Sequence, residues 1–169
     1  MADFPVKLAQ KAIASYLKDN RMIDPPGDVP EEFRGRAGTF VSLHKGEELR
    51  GCIGTFSPTK KSIAEEIIHN AVSAATSDPR FLPLTESELG GIDISVDVLS
   101  EPEKVSDRSL LDARKYGVIV RSGGLRGLLL PDLEGVDTPQ QQIELCKRKA
   151  GIWDGQAVEL FRFTVNRYE

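Results

Sequence analysis

The chain predicts an α+β fold, an antiparallel sheet flanked by helices, on three observations. Phe40 to Gly54 and Val118 to Pro131 each read as strand, glycine-containing turn and strand, the signature of hairpins rather than parallel crossovers. Helical periodicity is confined to a few stretches that do not alternate regularly with strands. Ile92, Ile94, Val96 and Val98 alternate with Asp93, Ser95 and Asp97, a period of two that buries one face of a strand. At 169 residues, the length suits one domain over residues 1–169.

In chain order, Phe4, Leu8, Ala12, Tyr16 and Leu17 recur at helical spacing opposite Lys7, Gln10, Lys11, Lys18 and Asp19. Asp24-Pro25-Pro26-Gly27 breaks this helix, because proline supplies no amide donor and restricts the residue before it. A loop then runs to about Arg36. Thr39 to His44 and Leu49 to Ile53 read as strands around Lys45-Gly46-Glu47-Glu48. A turn at Gly46 and Glu47 pairs His44 with Leu49 and Cys52 with Val41. Alternation then places Arg50 and Cys52 on the face of Val41 and Leu43, and His44 on the other. Ser57-Pro58 suits the start of the next helix, which runs to about Thr76. Its buried stripe is Ala64, Ile67, Ile68, Ala71, Val72 and Ala75, with Glu65, Glu66, His69 and Asn70 turned elsewhere. Val118 to Val120 and Leu125 to Leu130 flank Ser122-Gly123-Gly124 as a second hairpin, which repeats the Leu-Arg-Gly of the first. Gln140 to Lys149 forms a short helix, opened by Asp137-Thr138-Pro139 and closed by Gly151. Val158 to Val165 closes the chain as one strand.

The run Leu49-Arg50-Gly51-Cys52-Ile53-Gly54-Thr55-Phe56 is the candidate site. Glycine packs nothing and costs entropy to order, so Gly51 and Gly54 within a strand point to a bulge or a close backbone approach. Cys52 is the candidate catalytic residue, as a thiolate beside a cation and a helix N-terminus becomes nucleophilic near neutrality. The opposing reading is a small buried apolar residue. Arg50 is the candidate anion clamp with Gly51, Gly54, Thr55 and the amides after Ser57, or else it pairs internally with an acid such as Asp78 or Asp97. Asp78-Pro79-Arg80-Phe81 leaves the helix at a proline; Arg80 either reaches the same cleft or satisfies the last helix carbonyls while Phe81 packs into the core.

Composition narrows the function. A net charge of −4 provides no basic field for phosphate backbones, so nucleic acid is not an expected partner. No stretch approaches the ~20 apolar residues of a membrane span, and no charged leader precedes an apolar run, so cytoplasm is the expected location. Cys52 and Cys146 belong to unrelated patterns and are expected to be free thiols. With no CxxC, no HExxH and only His44 and His69, no dedicated metal or cofactor site is expected, although carboxylates can hold a casual magnesium or calcium ion.

LRGCIGTF at Leu49 to Phe56, DPRF at Asp78 to Phe81, LLLP at Leu128 to Pro131 and CKRKAG at Cys146 to Gly151 occur in the order found in the AMMECR family, which the chain resembles over nearly its whole length. The resemblance implies a larger subdomain with a smaller accessory one, and makes Arg80 the second residue carried over to the site. It also implies partnership with a Memo-type protein and a radical SAM enzyme in a multicomponent pathway. The chain itself lacks the cysteine cluster of an iron–sulfur protein. Two functions stand: an enzyme component that binds a small anionic or electrophilic ligand at Arg50 and Cys52, and a non-catalytic adaptor whose LRGCIGT region meets a protein partner.

Overall fold

The computed structural model describes residues 1–169 and contains three α-helices and eight strands, the strands forming two four-stranded sheets. One unit comprises residues 1–98 and 166–169, the other residues 99–165.

In the larger unit, α1 (Phe4–Asp19) ends at Asn20, which takes the left-handed conformation that stops a helix. The hairpin β1 (Thr39–Lys45) and β2 (Glu48–Thr55) turns at Gly46, whose φ of 62° favours glycine. Next come α2 (Ile63–Thr76) and β3 (Asp93–Leu99), and β8 (Val165–Tyr168) completes the sheet in the order β2-β1-β3-β8. Val41, Leu43 and Val96 point from the sheet into a core shared with Ala9, Ala12 and Ile13 of α1 and Ala64, Ile67, Ile68 and Ala71 of α2. Each fully buried Ile or Leu there contributes about 1.5–3 kcal/mol. Phe4 stacks on Phe33, which meets Tyr168 edge-on, each at 5.5 Å between ring centres.

The smaller unit holds β4 (Glu103–Val105), the hairpin β5 (Gly117–Ser122) and β6 (Leu125–Leu129), α3 (Pro139–Ala150) and β7 (Glu159–Phe163), in the order β4-β7-β5-β6. α3 packs Ile143 and Cys146 onto Val118, Val120 and Leu160. Thr138 and Gln141 form a reciprocal cap at its start, and Gly151 at φ 72° closes it.

Three expectations are corrected. The helix start moves from Ser57-Pro58 to Ser62, whose side chain accepts the Glu65 amide, because Thr59 and Lys60 instead turn their amides onto the Glu66 carboxylate. Glu66 and Asn70 do not turn away from the core; they are 1% and 5% exposed. The final strand breaks at Thr164, so that β7 serves one sheet and β8 the other. Periodicity cannot show that break, since apolar alternation continues through it.

Candidate functional site

β2 is an edge strand, and its register departs from a plain hairpin at one point. His44 pairs with Leu49 as expected, but Leu43 then pairs with Gly51, which leaves Arg50 as an extra residue. This bulge carries Cys52 from opposite Val41 to opposite Ser42. β1 alternates regularly against β3, so Ser42 and His44 share a face, and the expectation that Cys52 and His44 lie on opposite faces is overturned. Val41 and Leu43 belong to the core face instead. The hydrogen bond of Cys52 goes to Ser42, with Sγ and Oγ 3.3 Å apart.

Arg50 is engaged internally, with Glu88 in place of the expected Asp78 or Asp97. Its Nε and Nη2 donate to the two Glu88 oxygens at 3.3 Å, Nη1 donates to Leu82 O at 2.9 Å, and Nη2 to Pro83 O at 3.5 Å. The Arg50 and Glu88 side chains are 18% and 23% exposed. The Thr85 amide and then the Arg50 guanidinium hold the Glu88 carboxyl down to about 2. Arg50 therefore ties the bulge to the 82–88 segment.

Cys52 has a different neighbour. Its amide donates to Asp78 Oδ2 at 3.0 Å, while Arg80 Nη2 donates to its carbonyl at 3.4 Å. Asp78 is 2% exposed at its side chain and accepts Arg80 Nε at 3.1 Å and Nη2 at 2.9 Å. Asp78 and Arg80 together act as a neighbouring strand would, filling the open edge opposite Cys52. The Arg80 hydrogen bonds hold the Asp78 carboxyl far below the usual carboxylate range, against the opposing effect of burial. Arg80 is raised in turn by Asp78 first, and the thiolate form of Cys52 adds to the effect. Arg80 stays 57% exposed, a fixed cation beside a half-buried thiol. It does not close the helix carbonyls, and Phe81 is half-buried under its guanidinium rather than in the core.

Gly51 and Gly54 are both close approaches. A Cβ on Gly51 would lie 2.3 Å from the Ala74 carbonyl oxygen of α2, and one on Gly54 would lie 2.2 Å from the Phe40 ring. Thr55 enters a buried network that sequence reasoning missed. Glu66 accepts the Thr55 and Thr59 hydroxyls, both at 2.7 Å, and the Thr59 and Lys60 amides at 2.9 and 2.8 Å. Asn70 donates to Thr39 Oγ1 at 2.9 Å and to Thr55 Oγ1 at 3.1 Å. Burial alone would push Glu66 up, but these donors outweigh it and leave the carboxyl below its ordinary value. The loop amides assigned to an external anion thus already hold an internal one. The available signal was the i,i+4 spacing of Glu66 and Asn70 together with the threonines Thr39 and Thr55, which pair at the open end of the hairpin.

A cavity of about 560 Å³ lies elsewhere in the same unit, lined by His44, Asp93, Ser95 and Arg167 with Val6 and Ile94, and it contains no LRGCIGT residue. In the smaller unit, Cys146 is fully buried and burial pushes its thiol up to about 11.

The AMMECR1 family model matches residues 6–168. A Thermotoga maritima protein is 55% identical, covering 97% of this chain and 96% of its own length. A Clostridium acetobutylicum protein is 48% identical over 97% of this chain, which spans only 35% of that longer relative. The crystal structure of an uncharacterized Pyrococcus horikoshii protein superposes with a TM-score of 0.88 at 30% identity, covering 98% of this chain and 89% of that one.

Proposed function

The chain belongs to the AMMECR1 family, and we propose that it binds a small anionic or electrophilic ligand at Cys52, with Arg80 supplying the cation and the thiol serving as nucleophile or redox group. The supporting observation is the exposed Arg80 guanidinium, locked by buried Asp78 against the backbone of the thiol-bearing residue. An anionic group drawn to that cation is held beside the residue that carries the sulfur. Gly54 belongs to the binding surface, while Arg50, Gly51 and Thr55 shape the strand from behind. No helix of the chain is long and apolar enough to cross a membrane, and we place the reaction in the cytoplasm.

A second reading is a non-catalytic adaptor using the same strand. One observation favours it: Leu82 is 82% exposed on a segment whose carbonyl Arg50 pins, so an apolar side chain is presented rigidly. A Memo-type or radical SAM protein is the partner proposed in that case.

Alkylation of the native protein with iodoacetamide separates the readings, because Cys146 is buried and silent. The ligand-site reading requires one thiol to react, at Cys52, and Arg80→Gln to slow it several-fold. A Cys52 that stays unmodified until denaturation supports the adaptor.

A further inference from the structure

We propose that the ligand carries a carboxylate, seated off the edge of β2 between the Arg80 guanidinium and the Gly54 amide, with an electrophilic carbon presented to the Cys52 sulfur; this rests on the reading of Cys52 as the reacting thiol. The Cys52 amide and carbonyl both point off the edge, to Asp78 and Arg80, so Cys52 and Ser42 form a pair without mutual backbone bonds. The register continues unbroken through Val41 with Ile53 to Phe40 with Gly54. By alternation Gly54 directs its own N–H and C=O off the same edge, one step beyond the stretch that Asp78 and Arg80 fill.

Arg80 commits Nε and Nη2 to Asp78 and to the Cys52 carbonyl; Nη1 makes none of those bonds. A carboxylate placed off the edge beside Gly54 can accept from that backbone N–H and from the guanidinium. The Phe40 ring, against which Gly54 packs, lies on the same face as Cys52 and supplies an apolar wall for the ligand's carbon chain. Residues two apart on a strand are separated by about 6.5–7 Å. A short acid with its electrophilic carbon at or near the α position spans that interval. In the covalent step the thiolate lone pair forms the S–C bond, and the leaving group departs with the electrons of its bond to carbon.

Iodoacetate and iodoacetamide differ in the carboxylate and share the iodide leaving group. Their second-order rates on the native full chain, with the label located at Cys52 by mass spectrometry, give a ratio to compare with that of N-acetylcysteine at the same pH. The proposal requires the protein's ratio to exceed the small thiol's by about tenfold, the equivalent of one additional charged contact. It also requires acetate to protect against iodoacetate and Arg80→Lys to return the ratio towards the small thiol's. If Arg80→Lys does not fold, the wild-type ratio and the acetate protection decide alone. Labelling by both reagents at the small-thiol ratio overturns the carboxylate assignment and leaves the reactive thiol standing. Labelling by neither, with two thiols recovered on denaturation, overturns both.

Discussion

Replacing Glu66 with glutamine tests whether the buried polar network holds the LRGCIGT strand in place. The carboxylate is 1% exposed and accepts four donors, two hydroxyls at one oxygen and two amides at the other. Glutamine keeps an acceptor for the amides of Thr59 and Lys60, but its NH2 must face Thr55 and Thr59. The Thr55 hydroxyl already accepts Asn70 Nδ2. A hydrogen bond to a charged group contributes about 1.5–3 kcal/mol against about 0.5–1.5 for a neutral one, so the variant should lose about 2–4 kcal/mol. For a domain of this size that lowers Tm by about 4–16 °C. Glu66→Ala strands the two amides without an acceptor and should cost more. The pH dependence has a defined sign. The folded carboxyl is depressed below the unfolded value of about 4.3, so its contribution is complete above that pH and is lost as pH falls through the folded value. Urea titrations of wild type and Glu66→Gln at neutral and acid pH measure this directly. A loss under about 0.5 kcal/mol at neutral pH, or a gap between the proteins that fails to narrow in acid, would refute the reasoning.

Arg50→Ala should chiefly lower Tm and expose the 82–88 segment to limited proteolysis, because the side chain is spent on Glu88, Leu82 and Pro83; unchanged proteolysis would count against that assignment. Gly127→Ala should destabilise strongly on thermal melting, since its Cβ would meet the Cys146 carbonyl oxygen at 2.1 Å, whereas Gly123→Ala, at an open turn, is strained only through its φ of 57°. Thiol counting should return two thiols per chain after denaturation and a single accessible one, Cys52, before it.

The hairpins, α1, the stripe of α2 and the caps of α3 were legible because each is written in local spacing or local turn chemistry. Arg50 shows where that stops. One bulged residue moves Cys52 from Val41 to Ser42, and no periodicity records an insertion that only the partner strand reveals. Glu66 and Asn70 were misplaced for a related reason: a polar residue reads as solvent-facing until its partners, here Thr39, Thr55 and the loop leading into α2, are known. Arg80 was placed beside the motif by resemblance. Its anchoring by Asp78 was not visible, because two residues on either side of Pro79 reach back across 26 and 28 positions to the same backbone.

The repeated Leu-Arg-Gly offers a way to separate scaffold from site. In both units the glycine of the return strand lies under a helix carbonyl, Gly51 beneath Ala74 and Gly127 beneath Cys146. In both, the next residue's carbonyl is capped by a cation from the end of the following helix or just beyond it. Arg80 caps Cys52 at 3.4 Å, and Lys149 caps Leu128 at 3.1 Å. Each unit also runs hairpin, helix and strand in the same order, with a fourth strand at the far edge. Features shared by the two units are accounted for by packing, and a capped edge carbonyl is therefore architecture wherever it occurs. The larger unit alone places a thiol where Leu128 stands. It alone adds a buried carboxylate, Asp78, that takes the strand amide and fixes the cation's fork. Lys149 supplies one contact on a flexible stem, whereas Arg80 is held at two nitrogens and presents the remainder of its guanidinium outward. The chemistry of the protein should accordingly follow Cys52, Asp78 and Arg80 rather than the Leu-Arg-Gly that the two units have in common.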